Sequence, residues 1–290
     1  MRQPGTPKTK MGGKERLRLF LKGNRDLLDS LLSLRESGQK LDRGLRDLIG
    51  EKYHGAFQID LIHEPCARSD FLIQQRELGC VAEELRQQGM DDNRAIADIF
   101  GSRLFEEEID VAVFSLQPEI SHSLWKHRQE GYLFCPPPHW EEERPPLRKQ
   151  WLQEQFHPTG LLDVKQFQAN FVRLIREIKE RLGAHVIVYN CSSFDPEDRT
   201  SNYHNIEDTK SLRVQKFNLA LMEISALEGI SIIDVDRLIA ELGGDKHVQK
   251  AFDYSSEACR AICREFLRVL EDIGFFEDRP LVPQLGKKRE

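Results

Sequence analysis

Groups that can do chemistry gather at a few places in this sequence. An imidazole and a carboxylate are adjacent at His63-Glu64, and Arg68-Ser69-Asp70 follows closely. Amides and hydroxyls stand at Asn24, Ser115, Gln117, Asn190, Ser192 and Ser193, and carboxylates at Glu119, Asp234 and Asp236. A histidine titrates near neutrality, so His63 can take a proton from a hydroxyl. A guanidinium such as Arg68 can bind an anionic group. His63, Glu64, Asp234 and Asp236 could instead hold a hard cation. Their spacing matches no recognised metal motif, so no metal is expected. Each residue also has a plainer reading. Loop ends are polar because they meet water, and His63 can be a hydrogen-bonded structural histidine.

These residues share a position relative to the elements that must hold them. Leu17 to Leu21, Phe57 to Ile62, Ile109 to Ser115, His185 to Asn190 and Ile230 to Asp234 read as five apolar strands. Helical spacing separates them. Asp26 to Arg35 and about Ser69 to Gln88 read as helices. Asp163 caps one with apolar positions Val164, Phe167, Phe171, Leu174, Ile175, Ile178 and Leu182, and Gly183 ends it. Ser211 to Glu228 uses Val214, Phe217, Leu221 and Ile224, and Gly229 stops it. Ser255 opens a last helix with Ala258, Ile262, Phe266, Val269 and Leu270 on its inner face. Strand–helix alternation predicts a parallel sheet covered on both faces. In such sheets ligands bind beyond the carboxyl ends of the strands. The polar residues above all follow strand ends.

Composition narrows the classes. Net charge is -6 with the two signs interspersed, which argues against non-specific nucleic-acid binding. No run approaches the length of a membrane span, and Met1 to Arg16 lacks the apolar segment of a signal peptide. Cys66, Cys80, Cys135, Cys191, Cys259 and Cys263 form no CxxC pair, so a reduced, cytoplasmic protein is expected. Cys259 and Cys263 share a helix face, where packing is favoured over metal binding. Residues 1–15 read as a disordered basic tail and 278–290 as another. The Pro-rich stretch 135–150 reads as a surface excursion from a domain spanning 16–277.

At these residues the chain resembles the SGNH/GDSL hydrolases, most closely a bacterial subgroup. The segments that carry the likeness are Leu21-Lys22-Gly23-Asn24 with Asp29-Ser30-Leu31, His63-Glu64 with Arg68-Ser69-Asp70, and Ser115-Leu116-Gln117-Pro118-Glu119. Lys126-His127-Arg128, Gly131-Tyr132-Leu133-Phe134, Val188 to Ser193, Phe217-Asn218-Leu219 and Ile233-Asp234-Val235-Asp236 continue it to the closing helix. The resemblance spans about residues 17–275. It implies a flavodoxin-like three-layer α/β/α sandwich with a five-stranded parallel sheet of order 2-1-3-4-5. It also implies a nucleophilic Ser in a Gly-Asp-Ser turn after the first strand, an oxyanion hole from that turn with a Gly and an Asn, and a late Asp-x-x-His. This chemistry needs a base for the hydroxyl and donors for the developing oxyanion.

The sequence departs at each block. Gly23-Asn24-Arg25 puts Arg25 at the expected Ser position. Ser30 keeps the hydroxyl five residues later, as a candidate nucleophile or as a helix serine. Gln117 stands in the block that should supply the Asn. Lys250 and Asp253 replace the late Asp and His, and the two could form an ion pair. An Asp is a poor base for a hydroxyl.

The residues expected to act are therefore Ser30, His63 and Asp253 as catalytic groups, with Gly23, Asn24, Arg68, Gln117 and Asn190 around the oxyanion and substrate. Asn24, His63, Arg68, Gln117, Asn190 and Asp253 are expected to face one cleft. The expected function is ester hydrolysis or acyl transfer on a small-molecule or acylated substrate through a non-standard site. The alternative is a catalytically degenerate binding module of the same fold. No cofactor, nucleic-acid or membrane partner is expected.

Overall fold

Five parallel strands form the central sheet: β1 (Glu15–Lys22), β2 (Phe57–Glu64), β3 (Val111–Ser115), β7 (His185–Tyr189) and β8 (Ser231–Ile233). Their order is β2-β1-β3-β7-β8, which is the expected 2-1-3-4-5 counted over the sheet strands alone. The computed structural model describes residues 15–32, 44–65, 68–74, 102–135, 147–206, 208–250 and 252–277. Residues 1–14 of the first expected tail, all of the second, the middle of the Pro-rich stretch (136–146) and the rest of the expected helix after Gln74 lie outside the described residues, while Glu15, expected in the tail, opens β1.

The apolar runs work as strands because both faces are covered. In β1, Leu17, Leu19 and Leu21 share one buried cluster while Phe20 joins the other. In β3, Val111 and Val113 face one side, and Ala112 and Phe114 the other. This two-residue alternation splits the core into two layers.

Nine helices are described. They are α1 (Arg25–Leu27, running into a π turn at Leu28–Leu32), α2 (Leu45–Lys52), α3 (Ser69–Gln74), α4 (Gln117–Ser121) and α5 (Leu147–Gln155), then α6 (Val164–Leu182), α7 (Lys210–Glu228), α8 (Val235–Leu242) and α9 (Ser256–Asp272). Helices α3, α6 and α7 cover the Phe20 face, whereas α2, α8 and α9 cover the Leu19 face.

The long helices begin and end where the sequence predicts. Asp163 caps α6 through Lys165 N–H and Gln166 N–H, and Gly183 ends it at φ 63°. Thr209 caps α7, so the helix opens at Lys210, one residue before the expected Ser211. Ser255 caps α9 through Ala258 N–H.

Two small features were not predicted. Strands β4 (Trp125–His127), β5 (Leu133–Phe134) and β6 (Phe156–Pro158) form a separate antiparallel sheet of order β5-β4-β6. Strands β9 (Val248–Lys250) and β10 (Asp253–Tyr254) form a hairpin that leads into α9. The excursion also ends sooner than expected, because α5 begins at Leu147. Among the described residues no helix is long and apolar enough to cross a membrane.

Candidate functional site

The carboxyl ends of β2, β1 and β3 lie side by side, which brings His63, the Gly23-Asn24-Arg25 turn and Gln117 to one edge of the sheet. Gly23 permits the tight exit from β1. A Cβ there would lie 2.6 Å from Ser115 Cβ and 2.7 Å from Leu27 Cδ1. Gly23→Ala is therefore expected to cost about 1–3 kcal/mol in chemical denaturation, as overpacking does. A variant as stable as the wild type would show that the turn has room.

Asn24 leads into α1 and reaches across the edge. Its Nδ2 donates to Gln117 Oε1 at 3.2 Å and to His122 Nε2 at 3.3 Å. An amide nitrogen only donates, so His122 Nε2 accepts and carries no proton in this arrangement. Gln117 accepts through Oε1, which leaves its amide nitrogen as the donor end. His63 donates from Nε2 to the Gly23 carbonyl at 2.9 Å, so it could act as a base only through Nδ1.

Below this edge lie two buried carboxylates. The Ser115 hydroxyl donates to Asp26 Oδ2 and accepts from Gln117 N–H at 3.1 Å. Burial pushes the Asp26 carboxyl above its ordinary range, against the opposing Ser115 bond. Asp26 Oδ1 has no hydrogen-bond partner among the described residues. Glu119 accepts from Ser69 N–H at 2.6 Å and from the Ser69 hydroxyl at 3.0 Å. Burial and the nearby Asp70 push its carboxyl up to about 8, against the Ser69 bonds and Arg68.

The residues expected to act are placed unequally. Ser30 is fully buried, and its hydroxyl donates to Asp26 O at 2.7 Å, four residues back in its own helix. This is the helix-serine geometry, not a hydroxyl presented to a cleft. Arg25, at the turn position where the family carries its nucleophile, is exposed.

Arg68 is only 3% exposed. It forks onto Asp70 at 3.1 and 2.6 Å and donates to the carbonyls of His122 and Gly160 at 2.9 and 2.8 Å. Its guanidinium is thus committed within the protein, which corrects the expectation that it binds a ligand anion. Asp253 lies half-buried on β10 beside α1. Lys250 is its cross-strand partner, but its side chain is exposed and the two form no ion pair among the described residues. The expected pairing is therefore a ladder neighbour only.

Asn190 does not join Asn24. Two strand spacings, about 10 Å, separate the ends of β1 and β7. Asn190 bonds instead to Asp234 Oδ1 at 2.8 Å and to Asp236 N–H at 3.1 Å. The six residues expected to face one cleft therefore fall into more than one group. His63-Glu64 and Asp234-Asp236 end opposite edge strands, about four spacings or 19 Å apart. They cannot share a cation.

Cys259 and Cys263 are buried on the inner face of α9, as packing requires. His122 was missed because it lies one short helix beyond its strand end. Searching seven residues, about two helical turns, past each strand would have found it.

The sequence matches no family profile and no curated protein. Solved structures do resemble it. The likeness is one of fold. A provisionally assigned SGNH hydrolase from Slackia heliotrinireducens is 13% identical at a TM-score of 0.43, over 89% of this chain and 99% of that one. An acetylxylan esterase from Geobacillus stearothermophilus is 11% identical at 0.47, over 89% and 94%. A lipase/acylhydrolase from Enterococcus faecalis is 10% identical at 0.45, over 89% and 96%.

Proposed function

We propose that this chain is an SGNH-like domain whose strand-end site binds an acyl- or carboxylate-bearing small molecule without serine-based turnover. The observation that carries this reading is the exchange at the nucleophile. Exposed Arg25 occupies the turn, while Ser30, the hydroxyl the sequence offers in its place, is buried and returned to the Asp26 carbonyl. A nucleophile must reach the reacting carbon and share a proton with a base; Ser30 meets neither condition in this geometry. The donors that remain at the edge, the Arg25 guanidinium and the Gln117 amide nitrogen, suit a carbonyl or carboxylate oxygen.

The test is direct. The wild type is expected to hydrolyse 4-nitrophenyl acetate no faster than buffer at neutral pH and to resist labelling by a fluorophosphonate. Robust turnover that disappears in both Ser30→Ala and His63→Ala would replace this reading with ester hydrolysis through a rearranged site.

A further inference from the structure

A second concavity, of about 480 Å³, lies over the carboxyl end of β8, between α7 and α8. Its floor and walls include Asn190, Phe194, Leu219, Met222, Asp234 and Asp236. The volume falls within the range of small-molecule sites, and the lining mixes apolar walls with a few fixed polar groups.

The walls are apolar and open to solvent. Phe194 is 41% exposed, Leu219 62% and Met222 48%. The Phe194 ring rests against Gly244, where a Cβ would come within 2.8 Å of two ring carbons. Only a glycine lets the ring lie there. The segment that carries the ring is also pinned. Asn218 brackets Cys191 by accepting from its N–H at 3.3 Å and donating to its carbonyl at 2.8 Å. Ser192 N–H donates to the buried Tyr254 hydroxyl at 3.2 Å. Ser193 donates to Asp236 from its N–H at 2.7 Å and its hydroxyl at 3.0 Å.

The charge at the floor is one-sided. Both donors to Asp236 are neutral, and among the described residues no ion pair includes it. Arg237 also lines the concavity, but its guanidinium is bonded to Glu241 at 3.0 Å and Glu265 at 3.3 Å. Asp234 accepts from Asn190 and from Arg237 N–H, with the Arg237 Nε at 3.9 Å. A carboxylate facing apolar walls without a cation of its own is complementary to a cation that carries apolar surface.

We propose that this groove binds a small organic cation with an apolar body, its ammonium set against Asp236 and its body against Phe194, Leu219 and Met222. The site is separate from the Asn24 edge, so it does not depend on the function proposed above.

The probes are 4-phenylbutylamine and its neutral analogue 4-phenyl-1-butanol, titrated calorimetrically into the full chain at low salt. The amine should bind more tightly than the alcohol by about fivefold, the value of one modestly exposed ion pair. Asp236→Asn keeps the Oδ1 acceptor for Ser193 and removes the charge. It should erase the difference between amine and alcohol. Met222→Lys places a competing cation on an exposed rim position, so folding is not at stake, and it should remove the amine's advantage over the alcohol. Equal affinity of the wild type for amine and alcohol, no binding of the amine at millimolar concentration, or an amine preference that survives Met222→Lys would each overturn the proposal.

Discussion

Lys22→Met should destabilise the protein by about 3–5 kcal/mol in urea unfolding at neutral pH, the loss expected when one partner of a buried ion pair is removed. Lys22 Nζ and Glu64 Oε2 lie 2.9 Å apart at the ends of β1 and β2, with side chains 1% and 2% exposed. Burial alone would raise the Glu64 carboxyl, but Lys22 and the Arg103 N–H outweigh it and hold it below its ordinary value. Without Lys22 the buried charge keeps only the Arg103 N–H and the half-exposed Arg103 guanidinium, whose Nε lies 3.5 Å from Glu64 Oε1, too little to replace a buried ammonium at 2.9 Å. Glu64 would then favour its protonated form in the folded state, so the deficit should shrink as pH falls. Adding Glu64→Gln to Lys22→Met removes the charge and leaves an oxygen to accept from Arg103 N–H, and should recover most of the loss. A single variant as stable as the wild type would show that Arg103 compensates Glu64 on its own.

The second large effect concerns Glu119. Its folded carboxyl is pushed up to about 8 from an ordinary 4.5. The folded state therefore keeps a proton that the unfolded chain releases. The sign follows: this group's contribution to stability is fully present below about 4.5 and is lost as pH rises through about 8. The slope approaches about 1.4 kcal/mol per pH unit while the group titrates. Glu119→Gln should flatten that part of the profile. Its Oε1 can still accept from Ser69 N–H, and its amide nitrogen can donate to the Ser69 hydroxyl. Unfolding free energies from pH 5 to 8.5 should converge at the acid end and favour the variant at the alkaline end. Parallel profiles would mean that the Arg68–Asp70 pair beside it lets Glu119 ionise without cost.

The elements that could be read from the sequence are those whose signal is local and long. Five apolar runs became five sheet strands, and the inward positions of α7 (Val214, Phe217, Leu221, Ile224) are all buried. Strands β4, β5, β6, β9 and β10 have two or three residues each. Their pairing comes from tertiary approach, and no period of two can develop over that length. Helices α2, α4, α5 and α8 were also missed.

The strand-end rule placed Gly23, Asn24, His63 and Gln117 at one edge of the sheet, because the sheet alone sets where those residues emerge. It could not foresee burial. Arg68 and Ser30 are polar residue types whose hydrogen bonds turn inward, and Lys22 closes a strand that reads as apolar up to Leu21. Only the fold shows which polar groups meet water and which meet one another.

The π turn at Leu28–Leu32 follows the exposed Arg25 and carries the buried residues Ser30 and Leu31. A π turn holds one residue more than an α turn, and one residue is about 100° of helical rotation. The segment thus works as a phase adjuster. It lets the turn after β1 keep one orientation while the chain beyond it keeps another. Loss of a residue there has an α-helical solution that preserves the upstream turn. The same loss within the unbroken α6 would rotate half of its buried Phe and Ile face outward. Removal of one residue from Leu28–Leu32 is therefore expected to cost less stability than removal of one from α6, at the point where this sequence carries its serine five residues late.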